Sequence, residues 1–183
     1  MTIHLDDDLR LELTAAKHAA ALFAAIENNR AHLATFLPWV PFMRSVEEVT
    51  AYVNACELRY QQKEEVSFVI LLEDVLVGRI GIHHLDLQNR SASIGYWLVN
   101  NAEGKGIITR SCKKLITYGF EELGLHRIEI KAAAANLKSQ AIPEKLDFTK
   151  EGVLRHAEWV NGEFLDLLLY SVLDSEWLET TNL

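Results

Sequence analysis

Ile94-Gly-Tyr-Trp-Leu-Val99, running into Asn100-Asn-Ala-Glu-Gly104-Lys-Gly106-Ile107-Ile-Thr109, is the stretch on which the reading of this chain turns. It gives a β-rich run, a glycine-containing loop and the start of a helix, in that order. From Ile108 apolar residues recur at Cys112, Leu115, Ile116, Gly119, Phe120 and Leu123, one continuous helical stripe, with Gly124 as a C-cap. A strand, a glycine loop and an amphipathic helix together make an anion cradle. Glycine lets the backbone approach closely and turn its N–H groups inward, and the helix N-terminus adds positive potential. Thr109 offers a hydroxyl, while Lys105 and Arg110 supply mobile positive charge. A pyrophosphate fits such a cradle. The plainer alternative is a turn before a helix. Neither Gly-x-x-x-x-Gly-Lys-[Ser/Thr] nor Gly-x-Gly-x-x-Gly is present, so nucleotide hydrolysis and dinucleotide redox chemistry lose their main signature.

Working outward, Asp8 to Leu13 alternates as a half-buried strand does, and Thr14 is placed to cap an alanine-rich helix from Ala15 to Asn28. A short helix is expected between Arg30 and Phe36. The Leu37-Pro-Trp-Val-Pro-Phe-Met43 stretch interrupts it, and Ser45 with Glu48 reads as a capping box for a helix to about Gln61. Val66–Leu72, Val75–His84 and Ser91–Val99 are three β-rich runs broken by Glu73-Asp74 and Leu87–Arg90, the pattern of an antiparallel meander. Arg127–Ala132 alternates again. Ser139–Leu146 reads as a short helix with Pro143 near its first turn, and Asn161-Gly162 marks a hairpin whose second arm is Leu165–Tyr170. These elements predict an α/β (α+β) fold with a central mixed, mostly antiparallel sheet and helices on both faces.

The 183 residues, with 49% hydrophobic and 24% charged side chains, fit one globular domain spanning 1–183. No apolar run approaches the roughly 20 residues of a membrane-spanning helix. The acidic N-terminus is unlike the basic start of a signal peptide. Cys56 and Cys112 are too few for a disulfide framework and match no metal-ligand spacing, so both read as reduced thiols in the cytoplasm. A net charge of −8 argues against a nucleic-acid backbone as partner and favours cationic ones, amines and basic peptide termini included.

Several segments carry a resemblance. Gly95-Tyr-Trp-Leu, the Glu103-Gly-Lys-Gly-Ile107 loop, Phe120-Glu-Glu-Leu-Gly-Leu-His-Arg-Ile-Glu129, Asn136-Leu-Lys-Ser139 and Glu144-Lys-Leu-Asp-Phe148-Thr-Lys-Glu-Gly152 resemble the GNAT acetyltransferase superfamily. With Leu37-Pro-Trp39 and Glu158–Phe164, the chain is similar to the branch that acetylates ribosomal-protein N-termini at serine or alanine. The resemblance spans nearly the whole chain and implies a sheet splayed in its middle. It also implies acetyl-coenzyme A as donor, direct transfer to a protein N-terminus or small amine, and no metal.

By the same resemblance Glu103, Gly104, Lys105, Gly106, Ile107 and Ile108, with Thr109, hold the pyrophosphate. Trp97, Leu98 and Val99 hydrogen-bond the pantetheine arm as another strand would, and Asn136 contacts that arm where parallel strands part. Four positions depart from the family's habit: Glu103 replaces Gln or Arg, Ile108 a small residue, Asp147 a glycine, and Ser93 an acidic residue. A carboxylate at 103 is expected to repel a pyrophosphate.

Acetyl transfer needs a neutral amine, a stabilised oxyanion and a proton for the thiolate. Where many family members carry a tyrosine acid, this chain has Pro143. Ser139 matches the serine of the ribosomal-protein branch, so it is the candidate thiolate donor, with helix capping as its rival role. His83 and His84 stand in tandem at a strand end. His84 is the preferred base, with Asp86, Glu163 or a water chain as alternatives. Trp39, Trp159 and Phe164, with Phe42, are candidates for an acceptor slot. The opposing function class is a non-catalytic coenzyme A binder or interaction module on the same fold. A homodimer is left open.

Overall fold

The computed structural model describes residues 1–181. Its elements are β1 (Thr2–His4), β2 (Leu9–Leu13), α1 (Ala19–Asn28), α2 (Arg30–Leu33), α3 (Val46–Gln61), β3 (Val66–Leu72), β4 (Val75–Asp86) and β5 (Ser91–Leu98). They continue with α4 (Ile107–Glu121), β6 (Arg127–Ala133), α5 (Leu137–Lys145), β7 (Thr149–Val160), β8 (Glu163–Leu173) and α6 (Asp174–Thr181). The expected meander forms from β3, β4 and β5, and the expected mixed sheet is present, with eight strands ordered β1-β2-β3-β4-β5-β6-β8-β7. Neighbours pair antiparallel except β5 and β6, which are parallel and joined through the α4 crossover.

Helices cover both faces, and β4 shows how. Arg79 bonds Tyr52 and Cys56 of α3, whereas Ile82 comes within 3.5 Å of the point where a Cβ on Gly119 of α4 would stand. Residues 79 and 82 differ by an odd number and therefore point to opposite faces. The apolar stripe of α4 buries Ile107, Ile108, Cys112, Leu115, Ile116 and Gly119 as its spacing requires. Among the described residues no helix is long and apolar enough to cross a membrane.

Local chemistry explains most boundaries. Glu48 N–H donates to Ser45 Oγ and Ser45 N–H to Glu48 Oε2, the reciprocal capping box expected at the start of α3. Asn161 and Gly162 both take positive φ, 50° and 85°, which a two-residue turn needs to match the twist of β7 and β8. Asp147, where the family resemblance leads one to expect glycine, sits at φ 57°. The sheet ends on β7, whose register against β8 breaks between Lys150 and Gly152 and again between Leu154 and Glu158.

Two expectations are corrected. Thr14 caps nothing: a 3-10 turn at Ala16–His18 precedes α1, and the Thr14 hydroxyl is buried without a partner. Its backbone N–H instead donates to Ser67 O at 2.8 Å, tying β2's end to β3. The helix read as Ser139–Leu146 begins two residues earlier. Pro143 is its seventh residue rather than part of the first turn, and Asn136 is the cap, with Oδ1 accepting from Ser139 N–H at 3.1 Å. The strand β1 and the helix α6 carry patterns too short to have been read from the sequence.

A buried unpaired hydroxyl is a cost that an isosteric methyl removes. Thr14→Val is therefore expected to leave thermal stability unchanged or raise it by up to about 1 kcal/mol. A loss of about 1 kcal/mol in urea melts would instead mark the hydroxyl as a helix cap.

Candidate functional site

The site follows from where the one parallel pair ends. β5 and β6 pair from Ser91↔Arg127 to Ile94↔Ile130 and then part. On β5, Gly95, Trp97 and Val99 turn their backbone groups toward β4; Val99 N–H donates to Val77 O at 2.8 Å. By alternation Tyr96 and Leu98 present theirs to the β6 side, where beyond Ile94 no strand meets them. Of the stretch 97–99 read as a pantetheine edge, Leu98 alone is so directed, and Tyr96 joins it.

Through this gap runs a cleft of about 500 Å³ with walls from both faces of the sheet. Trp39, Arg79, His83 and Trp97 line it on the α3 side, and Tyr96, Asn136 and Ser139 on the α5 side; Glu158 and His84 also border it. Trp39 packs on Trp97 with ring centres 6.0 Å apart. Trp159 and Phe164 are not in the cleft. They form an edge-to-face pair at 4.6 Å, more than half exposed, with His156 stacked on Phe164. Phe42 is also largely exposed. The alternation of β7 accounts for the exposure of Trp159, since Glu158 and Trp159 are adjacent and point to opposite faces.

Just past the end of β5, whose Tyr96 and Trp97 line the cleft, the chain forms the glycine loop. Gly104 and Gly106 have φ of 75° and 71°, and no heavy atom lies within 4 Å of where their Cβ atoms would be. Gly106 is the N-cap of α4, and no side chain bonds the N-terminal N–H groups there. Ile107 and Ile108 bury their side chains in the core, so these positions offer backbone alone. The arrangement presents unspent donors and a helix N-terminus to solvent, the requirement for holding a phosphate.

The charges around the loop differ from expectation. Arg110 pairs with Asp6 rather than standing unpartnered. Glu103 turns to α2 and α5, with Oε1 at 2.9 Å from His32 Nε2 and Oε2 at 2.5 Å from Lys138 Nζ. Its charge is thus shared between two partners rather than directed at the glycines, which offsets the repulsion a bare carboxylate would exert. Lys105 is exposed beside it.

Ser139 lies on the cleft wall with its N–H on Asn136, so capping belongs to Asn136 and not to Ser139. The Ser139 hydroxyl donates to Tyr96 Oη at 3.4 Å, and Tyr96 donates to Ser139 O at 2.9 Å. Of the two histidines, His84 is exposed at the β4 bulge with φ 54°. His83 instead lies over Gly81 and Gly95, which face each other across β4 and β5, with Nδ1 3.4 Å from Glu65 Oε2.

Glu65 and Arg79 are buried, and Glu65 also accepts from Arg59 Nε at 2.7 Å and Arg79 Nη2 at 3.1 Å. Burial pushes the Glu65 carboxyl up, but His83, Ser67 and Arg59 outweigh it and hold it at about 2. Glu158 has no such support: burial raises its pKa above the usual carboxylate value. A half-buried cleft carboxylate with a raised pKa is the profile of a proton acceptor. Sequence reading passed over Glu158 because its signal is tertiary. Asp86 is spent on Asn89 N–H and Nδ2, and Glu163 lies at the hairpin turn. Among the described residues no group of three or more His, Cys, Asp or Glu is placed to hold a metal.

The family model described as an acetyltransferase (GNAT) domain matches residues 8–149. The chain is 38% identical over 180 residues to YdaF of Bacillus subtilis (strain 168), covering 96% of this chain and 97% of that one. It is 31% identical over 176 residues to the ribosomal-protein-serine acetyltransferase of Escherichia coli (strain K12), covering 96% and 98%. Among solved structures it superposes on RimL, a ribosomal L7/L12 alpha-N-protein acetyltransferase in complex with coenzyme A. That match has a TM-score of 0.91 and 28% identity, covering 94% of this chain and 98% of that one.

The buried Glu65 group provides a test. The carboxyl titrates at about 2 in the fold against an ordinary value of 4.5, so its stabilisation is complete above about pH 5 and lost as pH falls toward 2. Glu65→Gln leaves Arg79 buried beside an uncharged partner and is expected to cost about 3–5 kcal/mol at neutral pH. The variant's melting temperature should also fall less steeply than the parent's between pH 5 and 2. Parallel pH profiles would remove Glu65 from the acid transition.

Proposed function

The chain belongs to the GNAT acetyltransferase family, and we propose that it transfers acetyl from acetyl-coenzyme A to the N-terminal α-amine of a protein. A small amine is the competing acceptor class. We read residues 1–183 as one N-acetyltransferase domain acting in the cytoplasm. The observation that carries the proposal is the cleft passing through the parted strands, with a raised-pKa carboxylate on its wall and unspent backbone donors in the loop that follows β5.

The residue roles follow from that layout. Backbone N–H groups over 104–108 hold the donor's diphosphate, with Lys105 and Thr109 beside it; the Glu103 N–H is spent on Asn100 O at 3.3 Å. The edge of Tyr96 and Leu98 receives the pantetheine arm, and the free amide nitrogen of Asn136 faces the same arm. Trp39 bounds the acceptor side. The acceptor amine must be neutral to attack, and Glu158 takes its proton. As the nitrogen–carbon bond forms and the carbon–sulfur bond breaks, the Ser139 hydroxyl donates a hydrogen bond to the departing sulfur. One proton leaves the amine and one ends on the thiol, so the exchange balances. His84, exposed at the bulge, is left as a contact to the incoming acceptor rather than as the base.

Similarity to a ribosomal-protein-serine acetyltransferase over nearly the full length of both chains supports a protein N-terminus as acceptor. The deciding experiment is thiol release from acetyl-coenzyme A with peptides beginning in serine or alanine, set against spermidine. Faster turnover on the peptides supports the proposal; turnover on the polyamine alone would replace it with the small-amine reading.

Acetyl-coenzyme A is expected to raise the melting temperature, because it binds the native state. Gly106→Val, which puts a branched residue at φ 71°, should abolish that shift. An unchanged shift in the folded variant would reduce the loop to a plain turn.

Glu158 must be ionised to accept a proton, so kcat/KM should rise with pH through a pKa above 4.5. Glu158→Gln is expected to lower kcat by about 10²–10⁴-fold and to flatten that limb. A loss below tenfold would leave the proton to water.

A further inference from the structure

Pro143 stands in a helix where its ring removes a hydrogen bond. In α5 a residue at 143 would donate its N–H to the carbonyl of Ser139 four positions back, and proline has no N–H to give. That carbonyl is nevertheless satisfied, because Tyr96 Oη donates to it at 2.9 Å from the other lip of the parted sheet. The same phenol oxygen accepts from Ser139 Oγ at 3.4 Å. One tyrosine thus grips both oxygens of one serine, and the vacancy it fills is made by the proline. Burial pushes the phenol's pKa well above its ordinary value, so its proton stays in place to hold the carbonyl.

We propose that Tyr96 is the positioning residue for Ser139, and that Pro143 admits it by keeping the Ser139 carbonyl free of a helical partner. The proposal rests on the reading of Ser139 as the hydroxyl that meets the departing sulfur. The long 3.4 Å bond orients that hydroxyl toward the cleft and is weak enough to be given up to a thiolate. The shorter bond to the carbonyl ties α5 to β5 across the cleft and fixes where the hydroxyl starts. An error of about 1 Å in such a start costs up to about 10²-fold in rate.

The alternative is a staple that holds α5 to the sheet without bearing on turnover. Three variants of the full chain separate the two. Tyr96→Phe should lower kcat by about tenfold or more at saturating acetyl-coenzyme A, with its KM changed less than about threefold. Pro143→Ala restores an N–H that competes for the Ser139 carbonyl; kcat should fall while the melting temperature holds or rises. In the Tyr96→Phe background, Pro143→Ala should cost nothing further in kcat, since the bond it displaces is already gone. Additive losses in the double variant overturn the coupling. A Tyr96→Phe protein that loses melting temperature or donor affinity and keeps kcat is a staple, and the inference fails. Ser139→Ala keeps the two levels apart. If it lowers kcat and Tyr96→Phe does not, the serine reading stands and the inference falls. If Ser139→Ala keeps full turnover, the serine reading itself is overturned and the inference with it.

Discussion

The structure depends on the release of one strand pair. β5 and β6 are held together by parallel pairing over Ser91–Ile94 and Arg127–Ile130, and past that point the sheet cannot close. Unpaired N–H and C=O groups on a strand edge need partners, so the gap is suited to water or to a ligand that can hydrogen-bond as a strand does. The crossover helix α4 starts just past the end of β5, so its N-terminus and the two glycines lie beyond the point where the strands part. The cleft and the grip of Tyr96 on Ser139 are both consequences of this local loss of pairing.

Charge is distributed around the opening so that different groups keep different protonation states. Glu65 is buried with two guanidinium groups and a histidine, and stays ionised far into acid. Glu158 is half-buried without a cation, and burial alone moves it upward. The first ties together the face that carries His83 and Arg79, and the second borders the cleft with its pKa raised. Glu103, a departure from the family's usual residue, is balanced between His32 and Lys138, so its charge is not left bare beside the glycine loop.

Much of this was legible in the sequence, and the limits have physical reasons. Period told strands from helices over 66–123, since burial imposes alternation or a 3.6-residue repeat on any chain. The Asn161-Gly162 turn and the Ser45–Glu48 box are local interactions and were read correctly. Thr14 failed because a residue before a helical pattern looks like a cap whether or not its hydroxyl turns inward. Pro143 failed because proline is usually found in a first turn, and nothing local reveals that Tyr96, 47 positions earlier, meets the freed carbonyl. Glu158 and the Glu65–His83 contact are long-range. Trp159 and Phe164 look identical to slot residues in sequence and differ by one step of strand alternation.

The outer edge of the sheet has a consequence of its own. β7 leaves a row of backbone groups facing solvent, the kind of surface onto which a second chain adds in amyloid-like stacking. Its register breaks twice, at Lys150/Gly152 and at Leu154/Glu158, with His156 at φ 49° inside the second break. Bulges twist the strand, and Lys150, Glu151 and Arg155 place charges along it. A flat ladder cannot extend along such a border. The exposed Trp159–Phe164 pair, one ring on β7 and the other on β8, therefore sits at an edge protected against runaway polymerisation, and apolar surface can be kept there without making the protein prone to fibrils.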